Sequence, residues 1–249
     1  MRIDILTLFP AMLDGPLSGS IPGRIQETGL ARISVHDLRG WGLGRHRSVD
    51  DAPYGGGAGM VMRPEPIASA LDELRTEDST VILLDPGGER FSHARASDLA
   101  GREHLIFVCP RYEGVDARVR DLVDLELSIG DFVVTGGELP ALLIIDAVIR
   151  LLPGAIDTAS TAEESFTDGL LEYPQFTRPP EFRGRRIPDV LTSGNHEEVR
   201  RWRLEAALRR TKEQRPDLLA SRAPTSEERA ILGRIEAAES RGSEEAESE

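Results

Sequence analysis

The chain has 249 residues, 39% of them apolar and 29% charged, with a net charge of −13. That length supports one large domain or two modest ones. The lone cysteine, Cys109, excludes an intrachain disulfide and a thiolate metal cluster within one chain, which suits a reducing compartment. No stretch reaches the roughly 18 apolar residues of a membrane span, and the N-terminus lacks the pattern of a secretory signal. The expectation is a cytoplasmic protein that stays off the membrane.

The acidic total hides an uneven distribution. Residues 1–171 carry a net −12, residues 172–222 a net +4, and residues 223–249 a net −5. The positive island is almost all arginine. A local basic face binds phosphates whatever the total charge; a solvated arginine-rich helix is the plainer alternative.

In chain order, Arg2–Phe9 and Ala31–Leu38 read as strands. Pro64-Glu65-Pro66 opens a helix with Ile67, Ala70, Leu71 and Leu74 on one face. STVILLDP (79–86) and HLIFVCP (104–110) are continuous apolar runs ended by proline, the pattern of strands buried on both faces of a parallel sheet. LELSIGDFVVTGG (125–137) reads as a further strand running into glycines, and ELPALLIIDAVIRLLPG (138–154) as an apolar helix stopped by Pro153-Gly154. The fold class is α/β with a mostly parallel sheet across 1–157.

Ser, Thr, Ala and Glu then dominate a stretch read as a flexible linker, 158–171. A smaller helical domain is expected over 172–240. Its first helix opens at Asn195, with Glu198 in the capping box and Val199, Trp202 and Ala206 on one face. A last helix, capped by Thr225 and Glu228, surrounds Ile231, Leu232 and Ile235. Residues 241–249 read as a disordered acidic tail.

Three glycine-bearing turns, LLDPGG (83–88), CPRYEG (109–114) and SIGDFVVTGGELP (128–140), fall at strand ends. Ligands of open α/β sheets sit outside those ends, and glycine lets backbone approach them closely. None of the turns is a dinucleotide or P-loop phosphate motif. Singly each is ordinary turn chemistry; together they point to a small-molecule pocket. Cys109 reads as a small buried hydrophobe, and the five histidines show no metal-ligand spacing.

YGGGAGM (54–60), RYEGVD (111–116), SIGDFVVTGGELP and SFTDGLLEYPQFTRP (165–179), in this order, resemble the bacterial tRNA (guanine-N1)-methyltransferases of the TrmD type, in the SPOUT superfamily of knotted methyltransferases. The resemblance runs from Met1 to about Arg222. It implies a trefoil knot, S-adenosylmethionine as methyl donor and magnesium. It also implies tRNA as substrate, methylated at N1 of the guanosine 3′ of the anticodon, and a homodimer with active sites at its interface. The first domain would then bind the methyl donor and the helical one tRNA.

Carried over by position, the donor site comprises Leu84, Asp85, Pro86 and Gly88 on one wall, Pro110, Tyr112 and Gly114 on a second, and Ile129, Gly130, Asp131, Phe132, Val133, Val134, Gly136, Gly137 and Pro140 on a third. Substrate contacts fall to Tyr54, Gly55, Gly56 and Gly57 and to Arg183, Arg185, Arg200 and Arg203. Pro110 and Ala58 depart from the family, which commonly has glycine and proline there. Pro110 has no N–H, leaving its carbonyl or ring for any contact.

Methylating guanine at N1 requires removal of the N1 proton and stabilisation of charge on O6. The resemblance assigns the base to Asp168, which Phe166, Leu170 and Leu171 stand ready to shield from water. It assigns O6 to Arg150, and magnesium and substrate positioning to Glu113. A 2′-O knotted methyltransferase and a non-catalytic tRNA-binding protein remain the alternatives; the first has no need of an N1 base and the second leaves Asp168 idle.

Overall fold

The computed structural model describes residues 1–157 and 164–246. They divide into two compact units, Met1–Thr158 and Ala159–Glu249. The first is built on a five-stranded, wholly parallel sheet of β1 (Arg2–Thr7), β2 (Arg32–Asp37), β5 (Ser79–Arg90), β6 (His104–Val108) and β7 (Leu125–Ser128), in the order β2-β1-β6-β5-β7. Two-residue strands β3 (Asp50–Asp51) and β4 (Val61–Met62) form a separate antiparallel pair.

Alternation along each central strand explains the continuous apolar runs. Ile3, Ile5, Ile82, Leu84, Leu105 and Phe107 point to one face; Leu6, Val81, Leu83, Ile106 and Val108 point to the other. The first face is covered by α1 (Ala11–Ser18), α2 (Ser20–Glu27), α4 (His93–Ala100) and α5 (Glu138–Ile149). The second is covered by α3 (Pro64–Leu74), through Ile67, Ala70 and Leu71. Both faces are buried, so apolar residues dominate the central strands, with Asp4 and His104 as buried polar exceptions.

The sequence reading missed α1, α2 and α4, which are eight residues each. Proline and glycine inside α1 and α2 mask their periodicity, yet Leu13, Leu17 and Ile25 are buried. Helix α5 ends at Ile149, before the proline that was to stop it. The strand expected over 125–137 ends at Ser128: Gly130 turns the chain at φ 145°, and Phe132, Val133 and Val134 continue as an exposed loop.

The second unit holds the hairpin β8 (Glu181–Phe182) and β9 (Arg185–Arg186), then α6 (His196–Gln214), α7 (Pro216–Ala220) and α8 (Ser226–Ala246). Asn195 caps α6 by accepting from the Glu198 amide at 3.3 Å. Thr225 and Glu228 form the reciprocal box at the start of α8, at 3.2 and 2.7 Å. The buried stripe of α6 is Ala207, Leu208 and Thr211, not the face of Val199, Trp202 and Ala206; Leu208 packs on Ile231 and Ile235 of α8. Helix α8 extends through Ala246, into the stretch read as a disordered tail. Residues 164–171 of the expected linker belong to the second unit; 158–163 and 247–249 lie outside the described residues.

At the N-terminal edge of the sheet Asp4 is 1% exposed and accepts from His36 Nε2 at 2.6 Å and His104 Nε2 at 2.7 Å, with Arg2 Nε at 2.7 Å. Burial pushes its pKa up, but the two histidines and Arg2 together outweigh that and leave it below the usual carboxylate range. A lowered folded-state pKa contributes stability that is complete above the unfolded value of about 3.9 and is lost as pH falls through the folded one. Asp4→Asn should therefore lower the unfolding free energy at pH 7 by about 1–3 kcal/mol. Denaturant titrations repeated down to pH 2 should show that deficit shrinking below pH 4; a pH-independent deficit would remove Asp4's charge from the account.

Candidate active site

Every strand of the sheet points the same way, so the ends of β5, β6 and β7 open on one edge. There the irregular part of β5 past Leu84, where its register on β7 shifts, and the loops after β6 and β7 enclose a cleft of about 230 Å³. Its walls are Leu84, Asp85 and Pro86; Pro110, Arg111, Tyr112, Glu113 and Gly114; and Leu127 to Gly130, Phe132 to Gly137 and Pro140. Of the expected donor-site residues, only Gly88 and Asp131 stand outside this lining. Gly88 lies against the Glu126 backbone, where a Cβ would meet it at 2.5 Å. Asp131 is exposed and paired with Arg90. Arg111, Leu127, Ser128 and Thr135 line the cleft without having been expected there.

The loops are held at backbone distance. The Gly137 amide donates to the Pro110 carbonyl at 2.9 Å. A Cβ on Gly137 would meet Cys109 Cα at 2.6 Å and Pro110 Cδ at 2.8 Å; one on Gly136 would meet Arg111 Nε at 2.3 Å. Pro110 thus spends its carbonyl on the neighbouring loop and offers its ring to the cleft. Cys109 beneath it is fully buried, and desolvation pushes its thiol well above the usual pKa, so it is no nucleophile.

Glu138, the first residue of α5, is completely buried. It accepts from Thr7 Oγ1 at 2.6 Å and from Arg111 Nε at 3.1 Å, while Thr7 Oγ1 accepts from the Phe9 amide at 2.9 Å. The Arg111 guanidinium lies 4.4 Å from the Phe9 ring centroid and donates to the Thr135 carbonyl at 3.2 Å. One ion pair therefore ties the ends of β1 and β6 to the start of α5. Its carboxylate also sits at a helix N-terminus, where negative charge is favoured. Arginine next to tyrosine in RYEG and glutamate after GG were visible in the sequence; that they pair across the cleft floor was not.

Glu113 is exposed and lies over Gly59, where a Cβ would meet its carboxylate at 2.4 Å, so YGGGAGM abuts the RYEG turn. Tyr54 is fully exposed on this loop, with Gly55, Gly56 and Gly57 at positive φ, and none of them lines the cleft. Asp116, two residues past the turn, is held at about 2 by hydrogen bonds from Arg118. Arg150 caps the C-terminus of α5, half-buried.

Asp168 stands on the second unit, exposed at the rim of a hollow of about 290 Å³ that Leu171, Tyr173, Arg200, Arg203 and Ala207 also line. Leu170 packs on the α6–α8 core and also lines this hollow. Arg203 stacks on Tyr173 at 4.8 Å. Arg200 is bound to Glu197 and Glu227, at 3.0 and 2.7 Å. Arg183 and Arg185 sit on the β8–β9 hairpin with Arg186, all exposed, beside Phe182, which is 64% exposed. Among the described residues no ion pair engages these three arginines.

The chain thus holds a parallel α/β unit with a cleft at its strand ends and a helical unit bearing exposed arginines. The family model for tRNA (guanine-1)-methyltransferase matches residues 1–221. The tRNA (guanine-N(1)-)-methyltransferase of Geobacter sulfurreducens is 56% identical over 95% of this chain and 98% of its own length. Those of Dictyoglomus turgidum and Chloroflexus aggregans are 52% and 55% identical, covering 94% and 88% of this chain and 96% and 88% of their own. The chain belongs to the tRNA (guanine-1)-methyltransferase family.

The contact between Gly137 and Cys109–Pro110 has a direct test. Gly137→Ala should cost about 1–3 kcal/mol through forced displacement of that backbone, seen as a lower melting temperature. Ala58→Gly, in the exposed loop, should leave the melting temperature within a degree of the parent.

Proposed function

We propose that the protein transfers a methyl group from S-adenosylmethionine to N1 of the guanosine 3′ of the anticodon in tRNA. The observation that carries this is the convergence of the three glycine-bearing loops on one cleft in a chain of this family. The cleft fits the donor in kind: apolar walls at Leu84, Pro86, Ile129 and Pro140 suit a purine and thioether, and the loop backbones at Tyr112, Gly130 and Gly136 suit its polar edges. The bound donor supplies a methyl group activated on a sulfonium. The knotted threading implied by the resemblance is part of this proposal.

The chain's own residues supply the rest. Asp168 takes the N1 proton through its carboxylate. Arg150 stabilises negative charge gathering on O6, and the Glu113 carboxylate orients the substrate from the cleft rim. Among the described residues no three His, Cys, Asp or Glu side chains converge on a metal site. A magnesium ion at Glu113 would draw its other oxygen ligands from substrate and water. No helix among the described residues is long and apolar enough to cross a membrane, and a cytoplasmic location is proposed with the tRNA substrate.

The protein acts as a homodimer in this proposal, with Asp168 of one subunit serving the cleft of the other. Leu139 and Leu143 on α5 and Met12 on α1 are exposed at 53%, 50% and 38%, a face suited to a second copy. Asp168→Asn should keep donor and tRNA binding and lose about 10²–10⁴-fold in single-turnover methyl transfer. Arg150→Ala should also be nearly inactive. A purified heterodimer of the two variants carries one intact site and should recover up to half of the parental activity. A heterodimer as inactive as its parents would place both residues in one chain's site.

The hairpin, rather than Arg200, supplies most of the free positive charge for phosphate contacts. Replacing Arg183, Arg185 and Arg186 by Gln should weaken tRNA binding and flatten its salt dependence by about one slope unit per lost contact. Arg200→Gln should change the slope less, because two glutamates already hold that guanidinium. Filter binding from 50 to 300 mM salt separates the two outcomes.

A further inference from the structure

The segment carrying Asp168 is fastened to the helical unit by a defined set of contacts. The Phe166 amide donates to the Leu170 carbonyl at 2.7 Å, closing a turn with Asp168 at its outer edge. Phe166 and Gly169 both take positive φ, 78° and 73°, to make that turn. Leu170 is packed on Leu208, Ile231 and Ile235. The next amide, that of Leu171, donates to Thr211 Oγ1 at 2.9 Å. Thr211 is completely buried, and its hydroxyl hydrogen goes to the Ala207 carbonyl at 2.7 Å. The Glu172 amide donates to Ser165 Oγ at 3.0 Å, and the Glu172 carbonyl accepts from Arg210 at 3.0 Å.

Thr211 is the one buried polar side chain on the apolar stripe of α6. A helix gains nothing from threonine there, since leucine would bury more surface and cost less χ1 freedom. Its hydroxyl is occupied on both sides, accepting from the Asp168 segment and donating within the helix, so its rotamer is fixed.

We infer that Thr211 is a positioning residue for the proposed base: its hydroxyl pins the Leu171 amide to α6 and so sets where Asp168 is presented. This rests on the reading of Asp168 as the base. The carboxylate is then carried rigidly by the unit that grips tRNA, and its delivery to the cleft follows tRNA docking instead of the diffusion of a loose strand. Misplacing a reacting group by about 1 Å can cost on the order of 10²-fold in rate.

The test uses the full-length protein with Thr211→Val, which keeps the shape and removes the hydroxyl, and Thr211→Ser, which keeps the hydroxyl. Single-turnover methyl transfer at saturating tRNA and S-adenosylmethionine should fall 10- to 100-fold in Thr211→Val, with both dissociation constants within 3-fold of the parent. Thr211→Ser should stay within 3-fold throughout. In an Asp168→Asn background, Thr211→Val should cost less than 2-fold further, since no base remains to be placed. Hydrogen exchange at the Leu171 amide should quicken at least 10-fold in Thr211→Val and not in Thr211→Ser. The inference is overturned if Thr211→Val reacts at the parental rate, if Thr211→Ser is equally impaired, or if the valine penalty persists in the Asp168→Asn background. If Asp168→Asn itself reacts normally, the reading of Asp168 as base fails, an outcome distinct from a silent Thr211→Val.

Discussion

The cleft depends on the buried pairing of Glu138 with Arg111. Fully enclosed carboxylates are costly unless paired; here Oε1 accepts from Thr7 and Arg111 at the N-terminus of α5, while Oε2 lies 2.9 Å from Arg111 Nε as an ion pair without a hydrogen-bond partner of its own. Gly137 lets the chain pass against the Cys109 backbone and the Pro110 ring, and Gly136 leaves room for the Arg111 side chain. A side chain at either glycine would part the loops and leave the charge uncompensated. The requirement runs from sequence to site: two residues without side chains permit a close approach, the approach buries a charge, and the charge ties two strand ends to a helix start beside a ligand-sized space.

The opposite edge of the same sheet solves a different problem. There Asp4 gathers Arg2, His36 and His104 across strands β1, β2 and β6, and His104 Nδ1 meets Ser79 Oγ of β5 at 2.7 Å. Four adjacent strands are thus tied together away from the cleft. The loop end is free to be built from glycines, because register has already been set elsewhere.

Much of this was legible in the residues. Continuous apolar runs gave the central strands, since a strand buried on both faces has no reason to alternate; Pro86 does not end β5, which runs on to Arg90 across a register shift. The three glycine turns gave the cleft walls, and Asn195 with Glu198 and Thr225 with Glu228 gave two helix starts. What stayed hidden was hidden for physical reasons. Helices α1 and α2 carry glycine and proline that break the 3.6-residue rhythm, and tertiary burial of Leu13 and Ile25 overrides the poor propensity. Phe132-Val133-Val134 reads as strand because β propensity describes residues, while Gly130 decides that the chain turns away. The buried face of α6 was misjudged because arginine stems and Trp202 obscure the stripe; a threonine at the i+3 position from Leu208 was the signal that went unread. The expected arginine contacts were read as charge alone, and the glutamates that occupy Arg200 come from two different helices, one of them distant in sequence.

The unit boundary has a consequence for how such an enzyme changes over evolutionary time. The Asp168 turn lies on the helical side of the division near residue 158, hydrogen-bonded to α6 and packed on α8. A recombination event at that boundary would carry the acid and the arginine hairpin together into the new gene. Under the proposed roles of Asp168 and the hairpin, nucleic-acid recognition and proton removal would be inherited as one cassette, while the sheet and its cleft form another. Divergence in which RNA is chosen would then proceed by drift or exchange of the helical cassette without separating choice of substrate from the means of acting on it.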